Sequence, residues 1–162
     1  MDAEEFKQTV CVHLDAMYRV ALALCGSADD ASDAVQNASM KLWEFRDRIA
    51  GVANVRAYCI AAVRNSAFSL ISARKYAEPI DNTYPVADNA SEEQRLDDAD
   101  TVRLIETMMG RLPDNQRTVL AMRDFEGCEI DEIEQATGLS SGNIRVLLSR
   151  ARRTIRKLFE KQ

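Results

Sequence analysis

Residues 112–157 constrain the fold of this chain more than any other segment. Within them, the stretch from Asp124 to Glu134 holds six acidic residues and no basic one. Beyond Gly138, the stretch from Asn143 to Gln162 holds seven Lys/Arg and one acidic residue. A supporting helix, a glycine-terminated turn and a basic helix, in that order, are typical of a helix-turn-helix. Positive charge concentrated on one terminal helix of an acidic chain indicates a local nucleic-acid-binding surface.

Charge divides the chain into three parts. Residues 1–76 carry nine basic and nine acidic residues, residues 77–100 carry one and eight, and residues 101–162 carry eleven and nine. The middle part has two of the three prolines and few large apolar residues, which is the composition of a flexible acidic linker. We therefore predict an all-α fold of two small helical domains, residues 1–76 and 101–162, joined by the linker 77–100.

Apolar periodicity predicts three long helices in the first domain. Phe6 to Met17 repeats at three- and four-residue spacing, and Ser27 is a good N-cap for the second helix. Residues 48–55 are predicted as a loop, and a third helix follows over 55–75. No sustained alternation of polar and apolar residues occurs, so no strand is predicted. The stripe expected to be buried on the second helix is Ala31, Val35, Ala38, Leu42 and Phe45.

The second domain is expected to contain four helices. The first covers residues 101–109, and Pro113 suits position N1 of the next, which ends at Glu126-Gly127. Residues 130–137 form the supporting helix with Gly138 as its left-handed C-cap. Ser140 or Ser141 caps the final helix. The apolar face of that helix is Ile144, Leu147, Leu148, Ala151, Ile155 and Leu158.

Composition excludes several classes of protein. No run of 18 apolar residues exists, and the acidic N-terminus lacks the pattern of a signal peptide, so we expect a cytoplasmic protein without membrane insertion. A net charge of −5 argues against a nonspecific nucleic-acid coat. The four cysteines lack CxxC spacing and the only histidine is His13, so we predict no metal site and no cofactor.

Four sequence blocks together resemble a known family. The first domain contains YRVALALCGSADDASDAVQNASMKLWEFRD and NVRAYCIAAVRNSAF. The second contains LPDNQRTVLAMRDFEGCEIDEI and GNIRVLLSRARRTIRK. In this order, separated by an acidic tether, they are similar to the promoter-melting and promoter-reading domains of bacterial sigma factors of the extracytoplasmic-function group.

The resemblance implies roles for residues of the first domain. The helix from Asp33 to Trp43 would dock on the polymerase, through Asp33, Gln36, Asn37, Met40 and Trp43. The loop after it would capture a flipped base of the −10 element, and the next helix would support the melted strand. The −10 candidates are Arg48, Asn54, Arg56, Arg64, Asn65, Arg74 and Lys75.

The resemblance also implies that the final helix reads the −35 element. Arginine pairs bidentately with guanine in the major groove, and Ser and Asn make mixed contacts. Arg152, Arg153, Arg156 and Lys157 suit phosphates, which position a protein without specifying sequence. The −35 candidates are Ser141, Asn143, Arg145, Ser149, Arg150 and Arg153, with Arg123 on the DNA backbone.

The chain departs from the family pattern at four places. Asn37 replaces an acidic residue, which would soften polymerase docking, and Glu134 replaces a small Ala of the supporting helix. Glu129 is a weaker cap than the usual Ser or Thr. Tyr58-Cys59 replaces a Trp-Leu pair, and we expect Tyr58 to pack as the aromatic residue.

The sequence thus predicts a monomeric sigma factor that binds core RNA polymerase and promoter DNA and is held by an anti-sigma partner. A free-standing helix-turn-helix regulator is the alternative, and it predicts a dimer and palindromic operators. An enzyme has little support, because the chain has no glycine-rich phosphate loop and its one histidine lacks a matching nucleophile arrangement. No catalytic residue is predicted.

Overall fold

The computed structural model describes residues 1–77, 103–104 and 106–161, with backbone alone for 75–77. All regular structure in these residues is helical, which confirms the predicted all-α class. Apart from Ala77, the predicted linker lies outside the described residues, so the domain boundaries stay a prediction. The elements are α1 Ala3–Thr9, a 3-10 turn Cys11–His13, α2 Leu14–Cys25, α3 Ala28–Glu44, α4 Arg46–Ile49, α5 Val55–Ala77, α6 Asp114–Leu120, a π-helical turn Ala121–Phe125, α7 Ile130–Thr137 and α8 Ser141–Glu160.

The predicted first helix is interrupted rather than continuous. Val10 caps α1, and the 3-10 turn precedes α2. The β-branched Val10 and Val12 have little freedom in a helix, which favours a break there. The predicted apolar face still points inward, because Phe6, Val10 and Met17 are buried.

Helix α3 is bounded as its local sequence requires. Gly26, with φ of 69°, ends α2 in the left-handed region, and the Asp30 N–H donates to Ser27 Oγ at 3.4 Å. Ala31, Ala38 and Leu42 are buried as predicted, with Val35 partly buried.

The prediction was wrong for Phe45 and Arg48. Phe45 is 42% exposed, since α3 ends at Glu44 and the turn into α4 carries Phe45 off the buried stripe. Arg48 lies inside α4, so the predicted loop is shorter and follows Ile49.

The second half of the chain builds the helix-turn-helix. Residues 103–104 and 106–110 are helical, and Pro113 is the N-cap of α6 rather than its first residue. Helix α6 continues into the π-helical turn, where the Glu126 N–H donates to the Ala121 carbonyl at 3.1 Å. Gly138 has φ of 77° and is the left-handed cap, as predicted. Ser140 is the N-cap of α8, and its Oγ accepts from the Asn143 N–H at 3.2 Å.

Helices α7 and α8 pack despite the charged residue on the supporting helix. Ile133 and Ile144 are fully buried, whereas Glu134 is only partly buried. Leu148 and Ala151 are buried as expected, but Leu147, Ile155 and Leu158 are only partly covered. The apolar face of α8 is therefore narrower than its sequence period predicts.

The two halves of the chain pack against each other. One buried apolar cluster joins Val10 and Met17 of the first half to Val119, Met122 and Cys128 of the second. The helices that meet are α2 with the π-helical turn and α5 with α7. Sequence reasoning predicted two domains on a tether and did not anticipate this contact.

Candidate nucleic-acid interface

A concave basic surface lies along one side of α8. It encloses about 570 Å3, and we call it the α8 groove. Its charged lining comes from α8 and from the π-helical turn, so the helix-turn-helix fold gathers arginines that are far apart in sequence. The groove is lined by Arg123, Ile130, Arg145, Leu148, Ser149, Arg152, Arg153 and Arg156.

The groove includes four of the seven residues predicted for the −35 element: Arg123, Arg145, Ser149 and Arg153. Of the remaining three, Asn143 and Arg150 are exposed on α8 seven residues apart, two helical turns along one strip. Ser141 is partly buried, and its Oγ accepts from Arg145 Nη1 at 3.4 Å.

Two groove arginines are held by the turn that precedes α7. Arg152 donates from Nε to Asp124 Oδ2 at 2.9 Å and from Nη2 to Asp124 Oδ1 at 2.6 Å. Arg123 donates from Nη1 to the Cys128 carbonyl at 2.8 Å and lies 3.6 Å from Glu129 Oε2. These contacts orient the guanidinium groups of two arginines that the sequence analysis assigned to the DNA backbone and to phosphates.

The −10 candidates Arg56 and Arg64 lie where the two halves meet. Arg56 Nη1 donates to both carboxylate oxygens of Glu132, at 3.1 and 3.2 Å. Arg56 Nη2 donates to the Glu126 carbonyl at 3.0 Å and to its Oε1 at 3.1 Å. Arg64 Nε donates to Thr118 Oγ1 at 3.3 Å, and its Nη1 to Asn65 Oδ1 at 3.3 Å.

The other −10 candidates are spread along the first half. Asn54 Oδ1 accepts from the Ala57 N–H at 3.0 Å and so caps α5, a structural role that sequence reasoning missed. Arg48 is exposed, with its guanidinium 4.9 Å from the centre of the Phe45 ring. Arg74 forms an ion pair with Asp30. The side chain of Lys75 lies outside the described residues.

A smaller pocket of about 260 Å3 lies between α3 and α5. Phe45 and Tyr58 contribute aromatic rings, and Lys41 and Asn65 contribute polar groups. An aromatic wall with polar groups beside it suits a planar, hydrogen-bonding ring. The remaining lining residues are Leu42, Ala61 and Ala62. Sequence reasoning placed Phe45 in the core and did not single out Lys41.

The predicted polymerase-docking residues share one exposed face of α3: Asp33, Gln36, Asn37, Met40 and Trp43. Met40 is 66% exposed and Trp43 is 40% exposed. The Trp43 ring is held edge-on to Phe6 at 5.0 Å, with the Arg46 guanidinium 4.1 Å from its centre. A rigid aromatic residue beside an exposed methionine is typical of a protein-binding surface.

Three cysteines are protected thiols. Burial raises the pKa of Cys25 and of Cys128 to about 11 and that of Cys59 to about 12. These thiols are protonated at neutral pH and therefore poor nucleophiles. Within the described part of the chain, no three His, Cys, Asp or Glu side chains are placed to hold a metal ion, and no helix is long and apolar enough to cross a membrane.

Comparison with known proteins matches both halves of the chain. The model of Sigma-70 region 2 matches residues 10–76, and that of Sigma-70 region 4 matches residues 103–155. The chain is 29% identical over 157 residues to the RNA polymerase sigma-E factor of Streptomyces avermitilis, covering 96% of this chain and 86% of the relative. It is 24% identical over 160 residues to the ECF RNA polymerase sigma factor SigM of Mycobacterium tuberculosis, covering 98% of this chain and 79% of the relative.

Solved structures show the same fold. The sigma factor RpoE of Bartonella quintana, in complex with the anti-sigma factor NepR, matches with a TM-score of 0.75 and 21% identity over 98% of both chains. CnrH, in complex with the cytosolic domain of CnrY, matches with a TM-score of 0.73 and 20% identity, covering 99% of this chain and 91% of that one. With region 2 and region 4 matched in order, the chain belongs to the extracytoplasmic-function group of the sigma-70 family of RNA polymerase sigma factors.

Proposed function

We propose that this sigma factor binds core RNA polymerase through the exposed face of α3, reads the −35 element with α8 and engages the −10 element with α5 and the loop before it. The observation that carries this assignment is the separation of surfaces on one chain. The α3 face presents apolar and polar side chains to solvent, whereas the α8 groove presents arginines. A protein partner and a DNA duplex can therefore be bound at the same time.

The α8 groove has the chemistry of a duplex-reading surface. Arg145 and Ser149 lie one turn apart on the exposed side of α8. A helix in the major groove can place such a pair on adjacent base edges, while Arg153 and Arg156 neutralise phosphates. Asn143 and Arg150 extend the exposed strip along the same helix.

The −10 element would be held by single-strand contacts. The pocket lined by Phe45, Tyr58 and Asn65 offers a stacking surface and polar groups for an unstacked base. Extrusion of a base from the duplex costs roughly a few kcal/mol. Stacking of that base on an aromatic ring, together with contacts from flanking arginines, offsets this cost. Lys41 lines this pocket, and Arg48, Arg56, Arg64 and Arg74 are the other cations that we assign to the melted strand.

The proposal also includes a protein partner and a cellular location for this chain. Solved relatives are bound to the anti-sigma factor NepR and to the cytosolic domain of CnrY, and an anti-sigma partner for this chain is part of the proposal. The polymerase supplies the chemistry, so the chain itself has no catalytic role. It acts in the cytoplasm, where its polymerase and promoters are, as a monomer when free.

A free-standing helix-turn-helix regulator does not account for the first half of the chain. Such a protein needs no region 2, yet residues 10–76 match that region. A sigma factor uses both halves, the first for the polymerase and the −10 element and the second for the −35 element.

In vitro transcription tests the proposal. Core RNA polymerase from the source organism is incubated with genomic fragments, with and without the chain. Discrete new transcripts whose starts share upstream elements would support the proposal and reveal the promoter. Specific duplex binding by the chain alone, without any new transcript, would refute it in favour of a conventional regulator.

A further inference from the structure

Complementary charges face each other where the two halves of the chain meet. Arg19 of α2 donates from Nε to Glu126 Oε2 at 2.6 Å and from Nη2 to Oε1 at 2.9 Å. Arg56 of α5 donates to Glu126 and also to Glu132 of α7. We name these four residues, Arg19, Arg56, Glu126 and Glu132, the Arg–Glu latch. Its bonds join positions 70 to 107 residues apart, so it ties the halves together rather than stabilising one helix.

Buried contacts beside the latch give it a defined geometry. Arg117 of α6 is buried and donates from Nη1 to the Leu24 carbonyl at the end of α2, at 3.2 Å. Its Nη2 donates to the Leu112 carbonyl at 3.1 Å. The apolar cluster that joins Met17 to Met122 lies in the same interface. A polar network over a shared core is typical of a specific interface rather than of a loose encounter.

The latch occupies groups that the −10 strand would need. A guanidinium that donates two hydrogen bonds to a carboxylate uses the geometry with which it would hold a phosphate. Arg56 divides its donors between two carboxylates, with Nη1 on Glu132 and Nη2 on Glu126, so both terminal nitrogens are occupied. Arg64 is engaged by Thr118. The α3 face and the α8 groove remain exposed in the same arrangement. The closed chain therefore offers its docking and duplex-reading surfaces, and the pocket between α3 and α5 stays open, while two of the proposed single-strand contacts, Arg56 and Arg64, are engaged by the second half.

We propose that the Arg–Glu latch is an autoinhibitory contact, in which Glu126 and Glu132 hold Arg56 away from single-stranded DNA until the halves separate. The role of Arg56 toward DNA rests on the proposed function. Only the open form binds the strand. The apparent affinity of the chain for single-stranded DNA is therefore the affinity of the open form multiplied by the fraction of chains that are open. A closed form favoured about tenfold lowers the strand affinity about tenfold.

The test compares Glu126→Gln/Glu132→Gln with the control Asp131→Asn/Glu160→Gln, which removes two exposed negative charges elsewhere in the second half. Glutamine at 132 keeps an oxygen that can accept from the Glu129 N–H, a bond now 3.1 Å long, so the start of α7 is preserved. Fluorescence anisotropy with a labelled 20-nucleotide random single strand measures affinity. The latch variant should bind about tenfold more tightly than the control, and both should bind a random duplex equally.

Small-angle X-ray scattering of the full chain provides the second readout. We expect a compact wild type and control, and a larger radius of gyration for the latch variant. An extended wild type, or a latch variant equal to the control in both measurements, would overturn the proposal. A compact chain that opens and binds strands on mutation but starts no transcription refutes the sigma function while the latch stands. Normal transcription by a chain that is never compact refutes only the latch.

Discussion

Asp124 and Arg152 form a two-bond ion pair that ties the π-helical turn to the middle of α8. Both bonds are short, at 2.9 and 2.6 Å, and the two residues lie 28 positions apart. The pair borders the α8 groove, which Arg152 helps to line. It therefore orients one groove cation while lowering the net charge available for nonspecific attraction.

Asp124→Asn should increase affinity for any DNA and reduce discrimination. Removing the carboxylate frees Arg152 for phosphates, so log Kd should depend more steeply on log salt. Stability should fall by less than about 1 kcal/mol, since the pair is partly exposed. Filter binding on promoter and scrambled duplexes over a salt series measures both effects. Asp131→Asn, an equal charge change outside the groove, is the control, and the same salt slope in both variants would contradict this role.

Arg145 and Arg156 should respond differently to truncation. Arg145→Ala should cost about 1–3 kcal/mol on −35 DNA if Arg145 pairs bidentately with a base. Arg156→Ala should weaken binding evenly on all sequences, because phosphate contacts carry no base information. Competition binding with promoter and scrambled duplexes separates the two. Equal losses on both duplexes for both variants would refute the assignment of Arg145.

Met40→Ser should weaken polymerase binding without changing the fold. Met40 is 66% exposed, so its replacement should alter stability by less than about 0.5 kcal/mol. At the centre of a docking surface the loss should reach about 2 kcal/mol. Pull-down titration with core polymerase, together with thermal unfolding, checks both values. Val12→Ser, at another exposed apolar position, is the control, and unchanged polymerase binding by Met40→Ser would place docking elsewhere.

Acid should destabilise the packed arrangement in two steps. Burial and the neighbouring Arg56 lower the pKa of His13 below 6.5, against a smaller opposing effect of Glu132. The unfolded chain therefore binds the proton more readily, and stability falls as the pH drops from about 6.5 toward the folded pKa. Hydrogen bonds from Arg19 and Arg56 outweigh burial and lower the pKa of Glu126, so its stabilisation is present above 4.5 and lost as the pH falls through its folded pKa.

Urea unfolding at a series of pH values measures these steps. His13→Gln should remove the decline that begins near pH 6.5 and leave the one below pH 4.5. If the variant and the wild type lose stability in parallel between pH 6.5 and 5, His13 has no part in the effect.

Local chemistry allowed much of the fold to be predicted. Ser27, Gly138 and Ser140 mark helix ends because capping depends on residues within one turn. The charge of α8 follows directly from the residues, whereas the docking role of the α3 face was implied by the family resemblance and stays a prediction. The positions of Arg145, Ser149 and Arg153 on one groove could therefore be anticipated.

The tertiary structure decided which residues are buried and which residues far apart in the sequence come into contact. Phe45 leaves the core because α3 ends one residue earlier than its apolar stripe predicts. The partners of Arg56 are Glu126 and Glu132, which are 70 and 76 residues away. Helical periodicity shows which face of a helix is apolar, but it carries no information about which distant face will cover it. The amino-acid sequence determined the helical class, several of the helix caps and the distribution of charge, whereas only the packing of α2 and α5 against the second half decided that Arg19, Arg56 and Arg64 are bonded across the interface.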